Sequence, residues 1–131
     1  MENKELNINK VISLEDILKR KDFFKKRKEE KLELYVKSLD GNIKVIKADK
    51  ALCIEVSELE EYEDEDAYFV YNVVCEPNLK DPKLHEAFGI VNPPDIVYEI
   101  FEVGEVAQIS KKAMEFAGFN SGVEIVDEIK N

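Results

Sequence analysis

The chain has little of the raw material from which metal centres and nucleophilic sites are made. Its 131 residues include one histidine, His85, and two cysteines, Cys53 and Cys75. With no Cys/His pair at ligand spacing, a zinc or iron site has no framework. His85 is expected as a surface or half-buried helix residue, and the cysteines as reduced, buried thiols acting as small hydrophobes. Equally missing are the patterns G-x-x-x-x-G-K, G-x-G-x-x-G and G-x-S-x-G. Carboxylates abound, but at such density they read as solvated surface rather than as an acid–base pair. No catalytic, cofactor-binding or metal-binding residue is assigned, and no small-molecule substrate is expected. No apolar run approaches the roughly 18 residues that span a bilayer, and residues 1–10 lack the apolar core of a signal peptide. A cytoplasmic protein with no membrane partner is expected.

What the chain has is charge, unevenly spread. Residues 1–50 carry 14 of the 19 Lys/Arg and 10 of the 29 Asp/Glu, a net of +4. Residues 51–131 carry 5 basic and 19 acidic residues, a net of −14. That majority repels a phosphate backbone, so nucleic acid is an unlikely partner for the body. Only the N-terminal segment could make such contacts, and within it the strongly basic run is Lys19–Lys28. Its other readings are a solvated helix face, or a contact with an acidic partner or the acidic half of a neighbouring copy.

Residues 1–10 read as disordered. Ser13, with Asp16 three residues on, starts a helix that continues through Leu14, Ile17, Leu18, Lys21 and Phe24. Two β-prone runs, Leu32–Leu39 and Ile43–Lys47, flank an Asp40-Gly41-Asn42 turn and predict a hairpin over about 32–47. A helix is expected from Ala48 to Glu61. A buried helix follows over Ala67–Cys75, with Glu60–Asp66 before it at the positive end of its dipole and Pro77 after it. Asp81-Pro82 opens a short helix that Gly89 closes. Asn92-Pro93-Pro94-Asp95 opens the next, with Ile96, Val97, Ile100 and Phe101 on its apolar face. A third starts near Gly104, carries Val106, Ile109, Ala113, Phe116 and Ala117, and is capped by Gly118. Ser121-Gly122-Val123-Glu124 has capping-box spacing and opens a last helix bearing Val123, Val126 and Ile129. The fold class is α+β, mostly α-helical: an N-terminal helix, one hairpin, then a bundle of about five short helices.

The order of this punctuation resembles the XkdN-like tail assembly chaperones of PBSX-type prophages and related contractile particles. The resemblance is carried by Val74-Cys75-Glu76-Pro77, Leu79-Lys80-Asp81-Pro82, Leu84-His85-Glu86-Ala87-Phe88-Gly89 and Pro93-Pro94-Asp95. Val103-Gly104-Glu105-Val106, Phe116-Ala117-Gly118-Phe119 and the closing Val126–Asn131 complete it. It covers roughly residues 32–131 and implies one chaperone-like domain there, preceded by a basic tail and helix over 1–31. It also implies a non-catalytic protein that acts during tail morphogenesis and is absent from the finished particle. Its implied partner is the tape measure protein, a long helical chain that it keeps soluble, with the tail tube protein as a further contact; self-association, by contrast, is a reading of the basic segment and the acidic half of a neighbouring copy. Such a client calls for helix-in-groove recognition, for which Ile96, Ile100, Phe101, Val106, Ile109 and Phe116 are the candidate residues. The alternatives are a structural tail or baseplate component, and a small regulatory module binding nucleic acid through the basic helix.

Overall fold

The computed structural model describes residues 10–130. The expected disorder of residues 1–10 therefore lies outside the described residues, Lys10 apart. Near the N-terminus Ser13 and Asp16 form the expected capping box: the Asp16 amide donates to Ser13 Oγ (3.1 Å) and the Ser13 amide to Asp16 Oδ2 (3.2 Å). The expected single helix is two, α1 (Leu14–Lys19) and α2 (Lys21–Arg27), because Arg20 leaves helical geometry at φ −103°, ψ 18°. Neither buries a residue.

The hairpin forms from β1 (Lys31–Val36) and β2 (Gly41–Ile46), in register from Lys31↔Ile46 to Val36↔Gly41. Alternation puts Val36, Ile43 and Val45 on the buried face. The turn lies earlier than expected. Gly41 is already paired, and the chain reverses through a 3₁₀ turn, Lys37–Leu39, and Asp40 at φ +45°. Aspartate tolerates that left-handed conformation, and Tyr35 Oη holds the side chain by donating to Asp40 Oδ1 (2.7 Å).

Helix α3 (Lys50–Ser57) is shorter than expected. Asp49 caps it by accepting from the Leu52 amide (2.9 Å), and Glu58, Glu60 and Glu61 would sit unfavourably at its negative C-terminal end. Asp64 likewise caps α4 (Glu65–Val73), accepting from the Ala67 amide (2.9 Å), with Glu65 and Asp66 in its first turn. The expected run of this helix through Cys75 is corrected. It ends at Val73, and Val74–Glu76 form a strand, β3, antiparallel to β2 on the side away from β1. Three things favour strand here: the β-branched pair Val73-Val74, Pro77 forcing Glu76 out of the helical region, and the open edge of β2. The cysteines are free and half-buried rather than buried, Cys75 placing its thiol 3.3 Å from the Lys44 carbonyl.

The remaining helices follow their punctuation closely. Asp81 caps α5 (Pro82–Ala87) through the Lys83 amide. Gly89, at φ +62°, closes it in a Schellman motif: the Gly89 amide donates to the Glu86 carbonyl and the Ile90 amide to the His85 carbonyl. Pro93–Asp95 form a 3₁₀ turn that leads into α6 (Ile96–Ile100). Helix α7 (Val103–Phe116) ends in a second Schellman motif on Gly118, φ +96°. The last helix, α8 (Val126–Lys130), starts later than expected, because Gly122 at φ +116° interrupts any helix from Ser121; Val123 is exposed.

Helix α4 is the hub. It packs on α3, α6 and α7, and α7 in turn reaches β1. One core results, built from Val36, Ile43, Val45, Leu52, Phe69, Val70, Val73, Leu79, Ile96, Val97, Phe101, Val106 and Ile109 among others. Truncating a buried ring such as that of Phe69 costs about 3–5 kcal/mol. The mostly α-helical α+β class holds, with a three-stranded sheet in place of a lone hairpin.

Candidate functional site

The structure sorts the six candidate contact residues by depth. Ile96, Phe101, Val106 and Ile109 are buried in the core, so they hold the helices together rather than present a surface. Ile100 is half-buried against that core, and Phe116 is half-buried near the end of α7. The Phe116 ring lies under the Lys47 ammonium (4.8 Å to the centroid), which ties the end of the hairpin to the end of α7. An apolar stripe at helical spacing in a small domain is spent first on its own core.

The concave surface lies beside that stripe. Where α7 crosses β1, a groove of about 320 Å³ opens, lined by Leu34, Tyr35, Val36, Lys37, Glu105, Gln108, Ile109 and Lys112. Leu34, Val36 and Ile109 are its apolar members. Glu105, Gln108 and Lys112 form a row along α7 at steps of three and four, so one helical face supplies a wall. This row and the edge-strand residues were missed in the sequence; the visible signal was the polar row flanking the Val106–Ile109–Ala113 stripe. Lys37 and Lys112 place positive charge on the groove in an otherwise acidic body.

One end of the groove is fastened by Glu105. Its carboxylate accepts from Ser38 Oγ (2.6 Å) and the Ser38 amide (3.1 Å) across the fold, and from the Glu102 amide (2.9 Å) at the start of its own helix. The Ser38 hydroxyl, then the Glu102 amide, hold its ionisation below the usual 4.5.

A second cavity, about 520 Å³, is of opposite character. It lies between the start of α4 and the Pro93–Asp95 turn and is lined by Tyr62, Glu63, Asp64, Ala67, Tyr68, Asn92, Pro94 and Asp95. Tyr98 Oη donates to Asp64 Oδ2 (2.5 Å), and Tyr68 Oη to Glu55 Oε2 (2.9 Å). Partial burial of its hydroxyl, then that hydrogen bond, push Tyr98 up to about 12, so it stays a donor. Ser110, buried on α7, donates to Asp66 (2.8 Å) and joins α7 to the acidic end of α4. His85 is half-buried as expected, its Nε2 donating to the carbonyl of the buried Leu79 (2.7 Å). Among the described residues no group of His, Cys, Asp and Glu is arranged to hold a metal, and no helix is long and apolar enough to cross a membrane.

With this geometry in place, comparison with known families is decisive. The model of the phage XkdN-like tail assembly chaperone protein family matches residues 14–130. The chain belongs to the XkdN-like tail assembly chaperone family. The match takes in α1 and α2, and with them the basic segment Lys19–Lys28. Comparison with curated protein sequences returns no match. Among solved structures the chain is similar to the crystal structure of the protein YqbN, with a TM-score of 0.57 and 20% identity over 70% of this chain and 87% of that one. That likeness concerns the fold.

Proposed function

We propose that this chaperone binds the tape measure protein and keeps it soluble while the tail tube assembles around it. It acts by binding alone, in the host cytoplasm, and is absent from the finished particle. The observation that supports the reading is the family match along residues 14–130. The β1–α7 groove supplies a physical means. Its apolar floor suits one or two large anchors of an amphipathic helix, and Lys37 and Lys112 suit acidic residues beside those anchors.

Co-expression with the tape measure protein from the same gene cluster tests this. The client should stay soluble and co-purify with the chaperone, and should aggregate without it. Gln108→Trp, which fills the groove from its exposed wall, should reduce co-purification at least tenfold while leaving the melting temperature unchanged. No effect on client solubility together with no co-purification would sink the idea. Stoichiometric amounts of this chain in purified mature particles would assign it to the tail structure instead.

A further inference from the structure

We infer that the basic arm, α1 and α2, docks onto the acidic cleft of a second copy, making a head-to-tail contact between chaperone subunits. Among the described residues the arm presents an exposed helix face. Leu14 is 73% exposed, Leu18 66% and Phe23 49%, and no residue of either helix is buried. From Lys19 to Lys28 it carries seven basic residues and one acid. Among the described residues only Lys19 of those seven forms a salt bridge, to Glu15 one turn earlier on its own helix (3.1 Å). Arg20 and Arg27 lie with their guanidinium carbons 5.0–5.7 Å from the ring centroids of Phe23 and Phe24. Aromatic rings flanked by arginine are what protein interfaces concentrate.

The body of the same chain supplies the complement. The second cavity combines carboxylates, Glu63, Asp64 and Asp95, with apolar and aromatic walls, Tyr62, Tyr68 and Pro94. Tyr62 is 87% exposed at its mouth. Among the described residues, no acid from Glu60 to Asp66 forms a salt bridge. Arm and cleft thus match in both charge and chemistry: phenyl rings against tyrosines and proline, guanidinium and ammonium groups against carboxylates. Two different patches meeting head to tail leave one arm and one cleft free at the ends, so the contact propagates. The acidic balance of the body makes a nucleic-acid occupant of the arm the poorer fit, since bound phosphates would lie beside a surface of net −14. The inference does not rest on client binding.

The test is sedimentation of the full chain across concentration and salt. Average mass should rise with concentration at about 0.05 M salt, and the dissociation constant should rise roughly tenfold by about 0.5 M. Two surface variants separate the halves: Lys25→Glu with Lys26→Glu and Lys28→Glu on the arm, and Glu60→Lys with Glu61→Lys and Glu63→Lys at the cleft. Each alone should remain monomeric with a native circular dichroism spectrum. Mixed together they should associate again and stop at a dimer, because the intact basic arm of the cleft variant meets the intact acidic cleft of the arm variant, while the changed arm and changed cleft are left without a partner. A wild-type chain that stays monomeric at millimolar concentration overturns the proposal. So does association that survives both sets of changes, or a mixture that stays monomeric. Salt-dependent binding of duplex DNA by the arm, without self-association, assigns the arm to nucleic acid.

Discussion

Glu105 does three jobs with one carboxylate. It caps the start of α7, accepts both the amide and the hydroxyl of Ser38, and closes one end of the groove. Because its folded ionisation lies below the unfolded value near 4.5, it stabilises the fold above that value, and the contribution fades as pH falls through the folded one. Glu105→Gln should therefore lower the melting temperature at pH 7, and the deficit relative to wild type should shrink as melts are taken from pH 5 to pH 3. A deficit that stays constant with pH would mean that charge plays no part in the tie. Ser38 and Glu105 are 67 positions apart. Nothing local in either sequence neighbourhood announces the pair, whereas the Ser13–Asp16 box is written in four consecutive residues.

The elements show where reading the sequence succeeds and where it stops. Features with local causes were legible: the Asp81-Pro82 start, the Asn92-Pro93-Pro94 start and the glycine stops at 89 and 118. Gly118→Ala tests one of them. At φ +96° an L side chain is strained, and the substitution should destabilise by about 1–2 kcal/mol, measured by chemical denaturation. An added methyl meets nothing within 4 Å there, so the loss belongs to the backbone. Strand β3 was not legible. Val74–Glu76 read as the end of a helix because the strand depends on the open edge of β2, about 30 positions earlier in the chain. The groove was hidden for a related reason. Half of it is a strand edge and half a helix face, and only the fold brings Leu34 and Tyr35 beside Gln108 and Lys112. The candidate residues were chosen for being apolar at helical spacing, and core packing has first use of such residues.

At the scale of the whole molecule, the division is between a body with one core and an arm that adds nothing to it. Removing residues 1–28 should therefore move the melting temperature by less than about 3 °C, since surface changes away from buried features fall within about 0.5 kcal/mol. The same truncation should abolish the salt-dependent growth in mass described above. A fall of 10 °C or more would show that the arm helps to hold the body.

Helix α4 passes into β3 with no connecting residue: Val73 closes the helix and Val74 opens the strand. There is no slack at that junction. A residue inserted between them would either turn the α4 face by about 100° or move Val74 and Glu76 to the opposite side of the sheet. The two halves of the core are geared to each other there, one tooth per residue. Length changes during the divergence of such chains would be tolerated in the exposed loop around Asn120 and refused at this joint.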